Sequence, residues 1–189
     1  MAAMPEPVTY SPDDLGHALR EALDFTEALP DPAPTVFALV PTAVLAQIQP
    51  DAVTEGDDSV LSLLAEEPLH VADGVEPLSA LEEFVATASW PEPVVGVAVV
   101  APIVILPPEA KASLPGDTDS GHDLRSAAHS HPQAQSARIA VGALRGGRTL
   151  ALLDIPTAPA DPADPSRREL RTHPELATEL QRALAATLN

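Results

Sequence analysis

The stretch SWPEPVVGVAVVAPIVILPP, Ser89 to Pro108, is the most apolar in the chain, and it must enter a membrane, a binding groove or the protein's own core. Val94 to Leu106 falls short of the roughly 20 consecutive apolar residues that a membrane-crossing helix needs, and Gly96 and Pro102 interrupt it. Its side chains are mainly Val and Ile, whose branching at Cβ favours pleated backbone, so the run reads as a core strand bounded by Pro93 and Pro107. Proline gives no N–H to a ladder, so Pro102 predicts two strand pieces or one bent strand, breaking near Ala101 and Pro102. Apolarity without alternation implies that both faces of this strand are covered, by helices, by long loops or in part by a partner.

Working outward, LSALEEFVATA, from Leu78, predicts a helix that leads into Trp90. Earlier, PTVFALVPTAVLAQ predicts a short strand over Val36 to Val40, then one or two helical turns from Ala43 to Gln47, with Pro41 separating them. SPDDLGHALREALDFTEAL opens with Ser11 as N-cap, Pro12 at the first helical position and Asp13 and Asp14 at the positive end of the dipole. Leu15, Leu19, Ala22, Leu23 and Thr26 then form one stripe of an amphipathic helix that ends before Pro30.

Beyond the apolar strand, residues 109–135 lack periodicity and read as a long loop. Ala137 to Leu144 and Thr149 to Ile155 predict a hairpin around Arg145-Gly146-Gly147-Arg148, the glycines supplying positive φ. Residues 50–77 read as an acidic loop with room for a turn of helix in VLSLLAEE, and 156–171 as a Pro-rich linker. THPELATELQRALAATLN closes the chain as an amphipathic helix, with Pro174 near N1 and Leu176, Leu180, Leu184 and Leu188 on one face. The expectation is a single α+β domain over 1–189 with residues 1–10 as a disordered tail. An antiparallel or mixed sheet is packed by the N- and C-terminal helices in a two-layer arrangement, the helices on one face.

Composition excludes several function classes. The net charge is -18 with ten basic residues, and Lys111 is the sole lysine, which disfavours phosphate backbones and anionic lipid. Arg167, Arg168 and Arg171 form the one basic cluster and read as a solvated segment. No cysteine is present, so thiolate catalysis and Cys-ligated metals are ruled out. The N-terminus lacks the basic and apolar regions of a secretory signal, so the expected compartment is the cytoplasm.

Nor does the sequence contain a Gly-x-Gly-x-x-Gly after a strand, a P-loop, a nucleophile elbow or His-Glu-x-x-His. In DTDSGHDLRSAAHSH, Asp117 and Asp119 sit at the first and third positions of a calcium loop, but His122 stands where its glycine belongs and Ala128 where its glutamate belongs. His122, His129 and His131 could supply imidazoles to a metal, yet the Gly/Ser/Asp loop offers no rigid support for them. Gly121, Asp123, Leu124 and Arg125 match one short motif of the deoxyuridine triphosphatases without that family's other motifs. Trp90, His131, Arg138 and Arg145 are the candidate binding residues; no catalytic residue, metal ligand or cofactor is nominated. The competing structural readings are a ring closing one end of the core for Trp90, a turn hydrogen bond for His131 and a charge on the wet face of the sheet for Arg138.

Three blocks, PTVFALVPTAVL, LEEFVATASWPEPVVGVAVVAPIVILPPEA and HPQAQSARIAVGALRGGRTLALLDI with the terminal ELQRALAATL, together resemble a family of uncharacterised actinobacterial proteins of about this length. The distinctive parts are Trp90-Pro91, Val95-Gly96, Leu106-Pro107-Pro108, His131-Pro132 and Arg138 through Arg145. The resemblance implies fold, cytosolic location and actinobacterial origin, and no reaction. The functional expectation is a non-enzymatic protein-interaction or accessory module that docks a partner through a partly uncovered sheet face or the Trp90 edge. No nucleic acid and no direct membrane insertion are expected, and homo-oligomerisation is left open. The alternative is a small-molecule or metal-binding protein, or a weak hydrolase, that uses His129, His131 and Arg138.

Overall fold

A computed structural model describes residues 9–29, 33–66, 69–71, 77–107, 109–110, 130–156 and 168–189. The elements in chain order are α1 (Pro12–Glu27), β1 (Thr35–Pro41), α2 (Thr42–Ile48), β2 (Leu61–Ala65), α3 (Pro77–Thr87), β3 (Gly96–Ile105), β4 (Gln135–Leu144), β5 (Thr149–Pro156), β6 (Arg168–Arg171) and α4 (Thr178–Ala186). The six strands form one sheet in the order β2-β1-β3-β4-β5-β6, antiparallel at every step. The fold is thus α+β with helices at both termini, as expected.

The layering differs from the expected two. One face of the sheet carries Val36, Ala38, Val97, Val99, Ala101, Val141 and Ala143 against Leu81 and Val85 of α3 and Leu180 and Leu184 of α4. The other carries Phe37, Leu39, Ala98, Val100, Ala140 and Leu152 against Leu15, Ala18, Leu19, Ala22 and Leu23 of α1. A three-layer sandwich results because β1, β3 and β4 are apolar at successive residues and each face needs its own cover. Gly142 lets α1 come close: a Cβ there would sit 2.8 Å from Leu15 and 3.0 Å from Leu19.

β3 is one continuous strand rather than two pieces. The ladder to β1 ends at the Thr35–Val100 pair, so among the described residues Pro102 has β4 as its one strand neighbour, opposite Arg138, and its missing N–H interrupts no described ladder on the far side. Two strands lie where the sequence reads as loop or linker: β2 within 50–77 and β6 within 156–171. The N-terminal helix follows its signature, with Ser11 and Asp14 completing a capping box. The last helix starts later than Pro174. Leu176 N–H bonds the His173 carbonyl, His173 Nδ1 accepts from Glu175 N–H, and Ala177 is left-handed with φ 52°, so helix begins only at Thr178. At the hairpin tip Gly146 and Gly147 both take positive φ, 93° and 87°, the conformation that makes glycine the residue for this turn.

Candidate functional site

Arg138 lies toward one end of β4, flanked by Pro102 on β3 and Asp154 on β5. The Asp154 carboxylate is buried, 2% exposed, and its two oxygens are divided between two arginines. Oδ2 accepts from Arg138 Nε at 3.0 Å and its terminal nitrogen at 2.6 Å, and Oδ1 accepts from Arg168 Nε on β6 at 2.5 Å. Arg138 also donates to the Leu23 carbonyl at 2.8 Å and Thr26 Oγ1 at 3.1 Å, with Glu27 at 3.6 Å. Far from a wet face, Arg138 runs under the last turn of α1 and joins that helix to three strands. Arg168, expected in a solvated segment, is the third member of this network.

Arg145 stands just past the other end of β4, seven residues away and on the opposite face, about 23 Å along the strand. Among the described residues no carboxylate pairs with it. Its Nε donates to the Val94 carbonyl at 2.8 Å, one terminal nitrogen to the Leu188 carbonyl, and the other to the Trp90 and Pro91 carbonyls at 3.1 and 3.4 Å. Its own backbone N–H bonds the Val95 carbonyl at 2.7 Å. Trp90 is half-buried, its ring 6.4 Å from that of Phe84, and its indole N–H donates to Thr187 Oγ1 at 3.1 Å. Trp90 and Arg145 therefore meet, and together they join the turn before β3 to the end of α4.

His131 sits in the turn before β4, where its Nδ1 accepts the Gln133 N–H at 3.1 Å. His122, His129, Asp117, Asp119, Asp123 and Arg167 lie outside the described residues. The structure thus brings together Trp90 with Arg145, and separates both from Arg138. Asp154, which the sequence reasoning did not single out, is the centre of the Arg138 cluster. Its signal was present: an acid inside the apolar run Leu150 to Ile155 is costly without a cation, and counting back from the hairpin tip sets it opposite Arg138.

An open groove of about 450 Å³ is lined by Asp14, His17, Gly56, Asp57, Asp58, Ser59, Val60 and Leu61. Hydrogen bonds from Ser11 hold the Asp14 carboxyl below its ordinary range, and bonds from Ser59 do the same for Asp57, so both are anionic at neutral pH. Glu21, one helical step beyond His17, is pushed upward, by partial desolvation first and then by Asp57 and Asp24. Among the described residues no group of three His, Asp or Glu is arranged to hold a metal ion, and no helix is long and apolar enough to cross a membrane.

A family model described as PPA1309-like protein matches residues 15–189. The match takes in every element from the first turn of α1 to the end of α4, and the chain belongs to that family. No curated protein and no solved structure matches it.

Proposed function

We propose that this PPA1309-like protein is a non-enzymatic protein-interaction or accessory module that works in the cytoplasm. The observation that carries this reading is where the protein's polar chemistry goes. Arg138, Arg168 and Asp154 satisfy one another, and Arg145 and the Trp90 indole are engaged by carbonyls and a hydroxyl of the fold. Apolar and acidic groups meet solvent near one sheet edge: Val60, 50% exposed, lines a groove with Asp57 and Asp58, and Ile48 is 67% exposed at the end of α2. Both faces of the sheet are covered by helices, so docking on an open sheet face gives way to docking at a sheet edge. The lack of cysteine suits a reducing compartment.

The test is gentle purification of the tagged chain from its native cells, with and without cross-linking, followed by gel filtration. One protein that co-elutes at fixed stoichiometry is the expected result. Recovery of the chain alone after cross-linking overturns the reading.

A further inference from the structure

β2 is an outer strand of the sheet, and among the described residues its one strand neighbour is β1. Two hydrogen bonds fix the phase of its backbone: Thr42 N–H to the Val60 carbonyl, and Glu66 N–H to the Val36 carbonyl. In an antiparallel ladder the bonding direction alternates, so residues 60, 62, 64 and 66 point their backbone groups at β1. Leu61, Leu63 and Ala65 consequently turn their N–H and C=O outward, in the plane of the sheet.

The two sides of this edge differ in chemistry. On the α1 side, where Leu61 and Leu63 pack, α1 carries Asp14, His17 and Glu21 at helical spacing, and the loop before β2 adds Asp57 and Asp58. Glu21 is displaced upward by burial first, and Asp57 and Asp24 add to that displacement, so these carboxylates lie close enough to act on one another. On the other side Leu64 and Val53 are only partly covered, and Ile48 stands exposed at the end of α2. Edges built for solitude carry inward charges, lysines or prolines, and Leu61–Ala65 has none of these.

We propose that the outer edge of β2 receives an extended segment of a partner protein in which Lys or Arg alternates with aliphatic side chains, a proposal that rests on the interaction-module reading and gives it a location. Side chains of an added strand alternate between faces, so the cationic set would meet Asp14, Asp57, Asp58 and Glu21 while the aliphatic set meets Leu64, Val53 and Ile48. Charge complementarity chooses this occupant over a second copy. Two-fold pairing of β2 with itself would bring the acidic rims of two chains, each of charge -18, together.

The test uses the full chain and a short labelled peptide that alternates Lys and Val, against one that alternates Glu and Val. Expected results are binding of the first alone, weakening as salt rises, and slowed amide exchange at Leu61, Leu63 and Ala65. Asp57→Lys combined with Asp58→Lys is expected to weaken binding about tenfold or more, with the melting temperature little changed. Leu63→Pro removes an outward N–H without touching the β1 ladder and is expected to do the same. Equal binding to the charge-reversed variant, or binding of the Glu-Val peptide, overturns the proposal. So does a solution dimer that Leu63→Pro dissolves, which assigns the edge to a second copy. If a co-purified partner binds the edge variants as tightly as the native chain, the edge proposal falls while the module reading stands.

Discussion

Arg138 and Arg145 leave β4 at opposite ends and on opposite faces, and each reaches the C-terminal end of a helix that has no basic residue in its own last turn. Carbonyls at a helix C-terminus carry partial negative charge, so β4 supplies from outside the cations that α1 and α4 lack. From there the two arginines part company. Arg138 meets a buried carboxylate that it shares with Arg168, whereas Arg145, among the described residues, meets neutral carbonyls and remains partly in water. A buried full charge must be matched by full charge, but a guanidinium near the surface is held adequately by dipoles. The first arrangement is all-or-none; the second degrades by steps.

Removing Asp154 is the harshest way to test that contrast. Asp154→Asn is expected to cost about 3–5 kcal/mol in urea denaturation, because it leaves two arginines facing each other across β5 without their counter-charge. Arg145→Ala comes next, at about 2 kcal/mol, since several charge-assisted bonds are lost but the vacated carbonyls of Trp90 and Pro91 lie where water reaches them. Arg145→Lys should recover little of it, because a compact ammonium cannot span the carbonyls that the planar fork connects. Equal costs at Asp154 and Arg145 would break the comparison.

The smallest effect is expected at Glu21, where burial, Asp57 and Asp24 outweigh the opposing influence of His17. Its carboxyl is raised in the folded protein, so the stability contributed by its proton is fully present below the ordinary glutamate range and is lost as pH rises through the folded value. Glu21→Gln should therefore raise the melting temperature slightly at neutral pH, and the gain should vanish in acid. A gain that persists in acid would mean that packing rather than charge is responsible.

How much of this was legible depended on how strongly each segment speaks without its neighbours. β3, β4 and β5 are dense in branched or apolar residues with a Gly-Gly tip between the last two, and α1 announces itself with Ser11, Pro12 and Asp14. β2 was obscure because Leu61, Leu63 and Leu64 satisfy the spacing of a strand and of a helical turn alike, and no β-branched residue lies within Leu61–Ala65 to decide. Its pairing with β1 settles what its own residues do not. β6, Arg-Glu-Leu-Arg, has no apolar alternation; Arg168 holds it to Asp154 on the neighbouring β5, and Glu169 and Arg171 pair on its exposed side. Covering on both faces was written in the unbroken apolarity of Val94 to Ala101, but which helices provide it depends on where α1, α3 and α4 cross the sheet.

The packing of the two layers has a spectroscopic consequence. The chain has one tryptophan and one tyrosine. Trp90 packs against the core on the α3 and α4 side, and Tyr10 against the core under α1. Each half of the sandwich thus contains its own native fluorophore, with the sheet between them. Excited selectively, Trp90 reports the docking of α4 through its bond to Thr187, while Tyr10 reports the seating of the start of α1. Without any label, a single denaturation experiment can show whether the sheet loses both covers together or sheds one before the other.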